Sequence, residues 1–417
     1  MLTKTSNGTA VFAVGKAGTW AIKATLGDQT AEGTVSVTAN GQSKALTLSY
    51  ANVFGVVWDT SNSSTVLTRL TPKTDPYGLV TKSVTTEPKP AVGTGKGSSP
   101  FDSFAPWSGM RECNVDNYGK PIYWKGDSGF SRSANFVMVH IPEFYVAYKE
   151  SGTKKYFYIS DTALSGFFKH PGSGKYVGRY HYGASNSGAG MYGMSTTNVM
   201  PLTNIALKQF RFNVYSVGSD RHFHLYDFAT YCAIIWLYLI EFACWNCQIK
   251  IGRGYVDSNS SALNSGGTDS MTYHTGRASG TDGKTAVQYR WIENLWGNVA
   301  QLVDGFNADG KTAYYCTDPS KYANDTATSY TNIGTLPGTG YIMDLTVTDN
   351  GLLIPKTAGG SSSTYIPDYT DSSFGWRMLC VGGHWASGLS AGLLYFDVNG
   401  ASSGKYVGIS ARLLCEP

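Results

Sequence analysis

Cys244 and Cys247 stand two residues apart, the spacing with which thiolates grip zinc or exchange a disulfide. No second pair at metal spacing accompanies them, and they continue a helical pattern instead of preceding one. The cysteines (113, 232, 244, 247, 316, 380 and 415) are odd in number and scattered, so reduced, buried thiols are expected, with a Cys380–Cys415 disulfide left open. His222 and His224 flank Phe223 and would face one way on a strand, where they could ligate a metal or simply pair at a helix entrance. His274, Asp269 and Ser270 are hydrolase ingredients, but no Gly-x-Ser-x-Gly elbow frames a nucleophile. Gly252-Arg253-Gly254 lacks the helix start and Lys-Ser/Thr pair of a phosphate loop. No catalytic constellation emerges, so neither an enzyme nor a cofactor is expected.

The elements that carry these residues are short and turn-rich. The 49 glycines in 417 residues exceed the average usage of about 7%. With 28 tyrosines and only 15% charged residues, this describes a β-dominated protein with aromatic surfaces. The length allows a sizeable core. A net charge of +4 without any Lys/Arg run argues against a nucleic-acid partner. The longest apolar stretch, Cys232 to Ile240, is stopped by Glu241 far short of the roughly 20 residues that span a bilayer, so it reads as a buried helix and no membrane insertion is expected. Met1–Ser6 lacks the apolar run of a signal peptide, so export by the usual route is not expected.

Residues 1–50 alternate apolar and polar in four runs (Ala10–Val14, Thr19–Ala24, Gly33–Val37, Ala45–Leu48) divided by turn residues, the pattern of a small all-β immunoglobulin-like module. Residues 51–100 read as a β segment, Val53–Trp58 and Thr65–Leu70, ending in a Pro/Gly-rich linker. In 101–417, Thr203 could cap a helix over Asn204–Val214, and Asp227 a longer one reaching about Asn246. The second is apolar on nearly every face, as a central helix is. Helices, the Ser/Gly-rich loop from Gly254 to Gly283 and a strand meander predict an α+β domain.

The segment 376–415 is the most informative. Trp376-Arg377-Met378-Leu379-Cys380-Val381-Gly382-Gly383-His384-Trp385 and Ile409-Ser410-Ala411-Arg412-Leu413-Leu414-Cys415 are anchors enclosing a run of Gly, Ser, Ala and single aromatics. Such a run cannot bury itself; it reads as a surface with replaceable side chains on a rigid frame. Tyr395 and Phe396 are strand neighbours, so one faces outward, and Tyr395 is the better contact residue.

Three stretches, Gln288-Tyr289-Arg290-Trp291-Ile292-Glu293-Asn294-Leu295-Trp296-Gly297-Asn298-Val299, Met378–Trp385 and Ile409–Cys415, resemble the C-type lectin fold of the formylglycine-generating-enzyme type. Gly382 through Gly392 fits G-G-x-W-x-x-G-x-x-A-G, similar to the variable region of target proteins of diversity-generating retroelements such as phage tropism determinants. Upstream, Val53–Asp59, Phe104–Met110, Ile141–Tyr145 and Tyr158–Asp161 resemble phage tail-fibre segments. The resemblance spans about residues 50–417. It implies a C-type lectin fold over 101–417 and replaceable positions at His384, Ala386, Ser387, Ser390, Asp397, Gly400, Gly404, Tyr406 and Gly408, with Trp385, Arg412, Trp296 and Asn298 as frame.

The resemblance further implies a receptor-binding protein of a phage or prophage tail, in the virion, that binds a host cell-surface protein or glycan. Other tail proteins would be neighbours, and a homo-oligomer, a trimer by analogy, would add avidity. A tail protein without a diversified ligand is the alternative. An oxidase of the formylglycine-generating type would need a cysteine pair between Gly382 and Ala411, where no cysteine stands. Calcium-binding lectins use Glu-Pro-Asn and Trp-Asn-Asp; here Glu293-Asn294 lacks the proline and Gly297 breaks the second motif, so Glu293, Asn294 and Asn298 are expected to bond backbone in a loop core rather than hold a metal.

Overall fold

The apolar stretch around residue 235 sets the centre of the molecule. In the computed structural model, which describes residues 2–4, 10–12, 14–26, 29–46, 51–187, 190–215, 217 and 222–416, it forms the Phe228–Phe242 helix, every residue of which is buried. Asp227 caps it, accepting the Thr230 amide at 2.7 Å, and Lys175 neutralises that carboxylate at 2.8 Å. The helix ends earlier than expected, because Ala243 turns left-handed at φ 45°. Asn246 then caps a separate turn, Cys247–Lys250, so Cys244 and Cys247 flank a break. The other helix, Leu207–Tyr215, begins later than Thr203 would place it, since Asn204 has φ 60° and cannot be helical.

Strands enclose this helix. One five-stranded sheet runs in the order Phe168–Lys169, Tyr145–Ser151, Lys154–Ser160, Val53–Asp59, Thr68–Arg69. Its Phe157 ring meets Trp236 of the helix at 5.2 Å. The 51–100 stretch, expected as β segment and linker, is woven into this body. Val53–Asp59 pairs residue for residue with Lys154–Ser160, and Ala91–Val92 pairs with Gly276–Arg277.

A six-stranded sheet places Leu413–Cys415 between Phe223–Leu225 and Lys175–Gly178. The largest sheet has nine strands, with Ala300–Asp309, Trp376–Gly382, Gly392–Val398, Ile366–Ser372 and Gly340–Val347 adjacent in that order, and Ile409–Ser410 added in parallel to Ala300–Asp309. Its Phe306 and Phe396 rings both approach Phe228 of the central helix, at 5.0 and 6.3 Å.

This architecture corrects the expected α+β C-type lectin fold. Strand accounts for 37% of the residues and helix for 11%, and the largest sheet curls nearly into a barrel. The two helices legible in the sequence are real but minor; parallel pairing of distant strands, such as Ile366–Ser372 with Gly392–Val398, builds a fold that the local pattern does not announce. The expected immunoglobulin-like module is likewise not a sandwich among the described residues. Leu2–Lys4 pairs with Ala10–Phe12 and Gly18–Leu26 with Gln29–Val37, as two separate hairpins. Of its expected fourth strand, Ala45 and Leu46 are irregular and residues 47–48 lie outside the described residues. Among the described residues no helix is long and apolar enough to cross a membrane.

Candidate functional site

Antiparallel pairing of Trp376–Gly382 with Gly392–Val398 puts Cys380 opposite Asp397 and Val381 opposite Phe396. Leu379, Val381, Leu394, Phe396 and Val398 join the main core around the central helix. Period-two alternation sends Met378, Cys380, Tyr395 and Asp397 to the other side. There Tyr395 and Asp397 are half-buried, with the Tyr395 hydroxyl 3.4 Å from Asp397 Oδ2. Burial raises the Asp397 pKa, and nearby Asp371 adds to the effect. Parallel pairing sets Asp371 beside Asp397, and Asn399 Nδ2 reaches Asp371 at 3.3 Å. Tyr369 and Tyr341, whose rings lie 5.3 Å apart, continue this face, and the Tyr341 hydroxyl sits 3.4 Å from Ser390 Oγ. Tyr341, Tyr369 and Asp371 escaped the sequence reading because only the strand order brings them here.

The loop after Gly382 turns on two left-handed glycines, Gly382 at φ 87° and Gly383 at φ 72°. A Cβ on Gly382 would lie 2.6 Å from Leu295 O, which fixes glycine there. The loop backbone is then tied down from outside. The Trp385 amide donates to Asn298 O at 3.1 Å, Ser258 N to Trp385 O at 2.7 Å, and Gly388 N to Val256 O at 3.0 Å. Gln248 Nε2 donates to Gly388 O at 3.1 Å and also to Ala391 O. Within the loop, Ser387 Oγ accepts the His384 amide at 2.9 Å and His384 Nδ1 accepts the Ala386 amide at 3.1 Å. Ala386 is exposed, whereas His384, Trp385, Ser387 and Ser390 are half-buried. The Trp385 ring packs edge-on to His384 at 5.2 Å and is not fully inward as a frame residue would be.

Gly400, Gly404, Tyr406 and Gly408 are half-buried on the segment that covers Met378 and Cys380. Gly400 O accepts the Met378 amide at 3.0 Å, and Gly408 O the Ala300 amide at 2.9 Å. The Tyr406 hydroxyl accepts Ala401 N at 3.1 Å, and its tip would stand 2.3 Å from a Cβ on Gly404. A Cβ on Gly408 would meet the His384 ring at 3.4 Å. The nine positions therefore form three patches: 384–390 with Gly408, Asp397 (beside the further contact Tyr395), and 400–406.

Behind them stands a polar frame. Arg412 is fully buried and donates to Gly178 O, Arg179 O, Glu293 O, Asn294 O and Gln301 Oε1 at 2.7–3.3 Å. Burial lowers its pKa to about 10, and the nearby Arg179 charge adds to the effect. Glu293 accepts Gly266 N at 2.9 Å and Thr268 N and Oγ1 at 2.7 Å each. Asn298, buried with Trp296, clasps Leu263 through both its amide atoms, and Trp296 Nε1 donates to Gly252 O at 3.1 Å.

The other chemical candidates do not assemble. His274 Nε2 bonds Asp102 at 2.9 Å, while Asp269 serves Arg179, Tyr180 and Thr197. All seven cysteines are free and buried, Cys380 and Cys415 included. Among the described residues no group of three or more His, Cys, Asp and Glu could hold a metal. No family model matches the chain, and no curated protein matches it.

Proposed function

We propose that this protein is a ligand-binding display protein of a phage or prophage tail, whose exchangeable face comprises His384, Ala386, Ser387, Ser390, Asp397, Gly400, Gly404, Tyr406 and Gly408, with Tyr395 as a further contact. One observation carries the reading: groups outside the set, at 248, 256, 258, 298 and 300, hold the 384–408 backbone by its own amides and carbonyls. Side chains there can change while the path of the chain stays. Tyr341, Tyr369 and Tyr395 supply broad, low-entropy contact area of the kind recognition surfaces use.

The ligand in this reading is a host cell-surface protein or glycan. Each patch is small, so several copies on one particle raise the apparent affinity by about 10² to 10⁴-fold; a homo-oligomer, a trimer by resemblance, meets that need. The test is a pulldown on host envelopes with the intact chain and with a chain replaced at 384, 386, 397 and 406. Binding lost with folding retained supports the reading; equal binding favours a tail component without an exchangeable ligand. Neighbouring DNA that carries a near-copy of the 376–415 coding segment, differing at adenines, would independently support diversification.

A further inference from the structure

Behind the 384–390 loop lies a cleft of about 220 Å³, walled by Gln248, Ile249, Arg253, Asp282, Asp368 and Leu389. Its charges are neutralised pairwise with one exception. Arg253 grips Asp257 with both terminal nitrogens, at 2.5 and 2.7 Å. Asp282 faces Arg277 at 3.2 Å and accepts the Arg253 amide at 2.7 Å. Among the described residues Asp368 has no cation partner. It is 1% exposed, and among the described residues its carboxyl has a single hydrogen bond, Leu394 N to Oδ2 at 2.7 Å. The Gly392 backbone makes room for it, since a Cβ there would fall 2.0 Å from Oδ1. Two aliphatic side chains of the lining stand in solvent, Ile249 at 74% and Leu389 at 52% exposed, beside the polar Asn246 and Ser362.

Exposed aliphatic side chains beside one unpaired carboxyl select a cation on an aliphatic stem. The volume is below the roughly 300–1,000 Å³ of whole-ligand sites and suits a single side chain. We propose that this cleft binds a primary ammonium group on an alkyl chain, the chemistry of a lysine side chain of the bound partner, with Asp368 as its counter-ion and Ile249 and Leu389 flanking the stem. The site adds a fixed contact beside the exchangeable ones and does not depend on them being exchangeable.

Burial holds the empty carboxyl up at about 8, so near neutral pH the ammonium displaces a proton and binding tightens as pH rises from 7 to 9. The titratable groups around Asp368 are Tyr231, Tyr238 and Cys247, all buried and held in their neutral forms, and the paired Arg253 and Asp282.

The experiment is an NMR titration of the full chain with Nα-acetyl-lysine methylamide and with the uncharged norleucine analogue. Saturable shifts at Ile249, Asp368 and Leu389 are expected with the lysine compound, and at least tenfold weaker binding with the norleucine one. Asp368→Asn should weaken the lysine compound at least tenfold. Leu389→Lys, at an exposed position that leaves folding intact, supplies its own ammonium and should abolish binding of the added one. Equal binding of both compounds, or unchanged binding by folded Leu389→Lys protein, would overturn the proposal, and neither result bears on whether 384–408 is exchangeable.

Discussion

Two loop regions of similar composition, 254–298 and 383–408, are held in opposite ways. In the first, buried side chains reinforce the main-chain bonds: Glu293 gathers Gly266 and Thr268, and Asn298 clasps Leu263. In the second, main-chain groups and the Gln248 amide hold the path of 384–391; the His384 and Ser387 side chains bond within the loop, while Ser390, Asn399 and Ser402 reach Tyr341, Asp371 and Asp325. The same Gly/Ser richness therefore gives a loop intolerant of substitution in one place and a tolerant one in the other. What decides is which atoms satisfy the buried amides.

The largest effect should come from the first region. Glu293→Ala strands two buried donors of Thr268 and the half-buried Gly266 amide, and leaves Arg179 short of a nearby carboxylate; a loss of about 3–5 kcal/mol in urea unfolding is expected. A loss below about 1 kcal/mol would mean that backbone alone holds this loop too.

Acid should destabilise the chain through its buried histidines. Burial depresses the pKa of His170 to about 3 and that of His181 well below its ordinary 6.5. The unfolded chain takes up these protons first, so stability is full above pH 6.5 and falls as pH drops toward 3. Each such histidine costs roughly 1.4 kcal/mol per pH unit. Urea midpoints from pH 8 to 5 should fall alike in the native chain and in Ala386→Tyr.

Within the second region, Gly404→Leu should cost about 1–3 kcal/mol because the Tyr406 tip blocks it, and most of that cost should vanish in a Tyr406→Ala background, a coupling that a double-mutant cycle reads directly. Ser387→Ala removes the acceptor of the His384 amide and should cost about 1 kcal/mol by thermal unfolding. Ala386→Tyr or Ala386→Asp, at an exposed position, should stay within about 0.5 kcal/mol; a larger loss at Ala386 would erase the contrast between the two regions.

The sequence carried local structure better than global structure. Asp227 and the all-apolar run after it announce a capped central helix, and the Tyr395–Phe396 alternation announces which ring turns away from the core. The helix end was hidden because Ala243 is not a residue type that signals a left-handed turn. The fold class was hidden for a different reason. Sheet order depends on pairings between residues far apart, such as Gln301 with Ser410, and two visible helices outweighed many short strands. The same non-local pairing conceals Tyr341 and Asp371 from any reading of the 376–415 segment alone. Asp368 was invisible too, because nothing in Ile366-Pro367-Asp368-Tyr369 distinguishes a carboxyl enclosed by protein from one in water.

The position of Leu413–Cys415 inside its sheet, with a neighbour on each side, sets what a frameshift upstream of it would do. Any insertion or deletion between 384 and 408 that slips the reading frame rewrites Arg412 and this inner strand at once, which removes the buried guanidinium and parts Phe223–Leu225 from Lys175–Gly178. Such chains lose the sheet itself, whereas an in-frame replacement at an exposed position such as Ala386 leaves it whole.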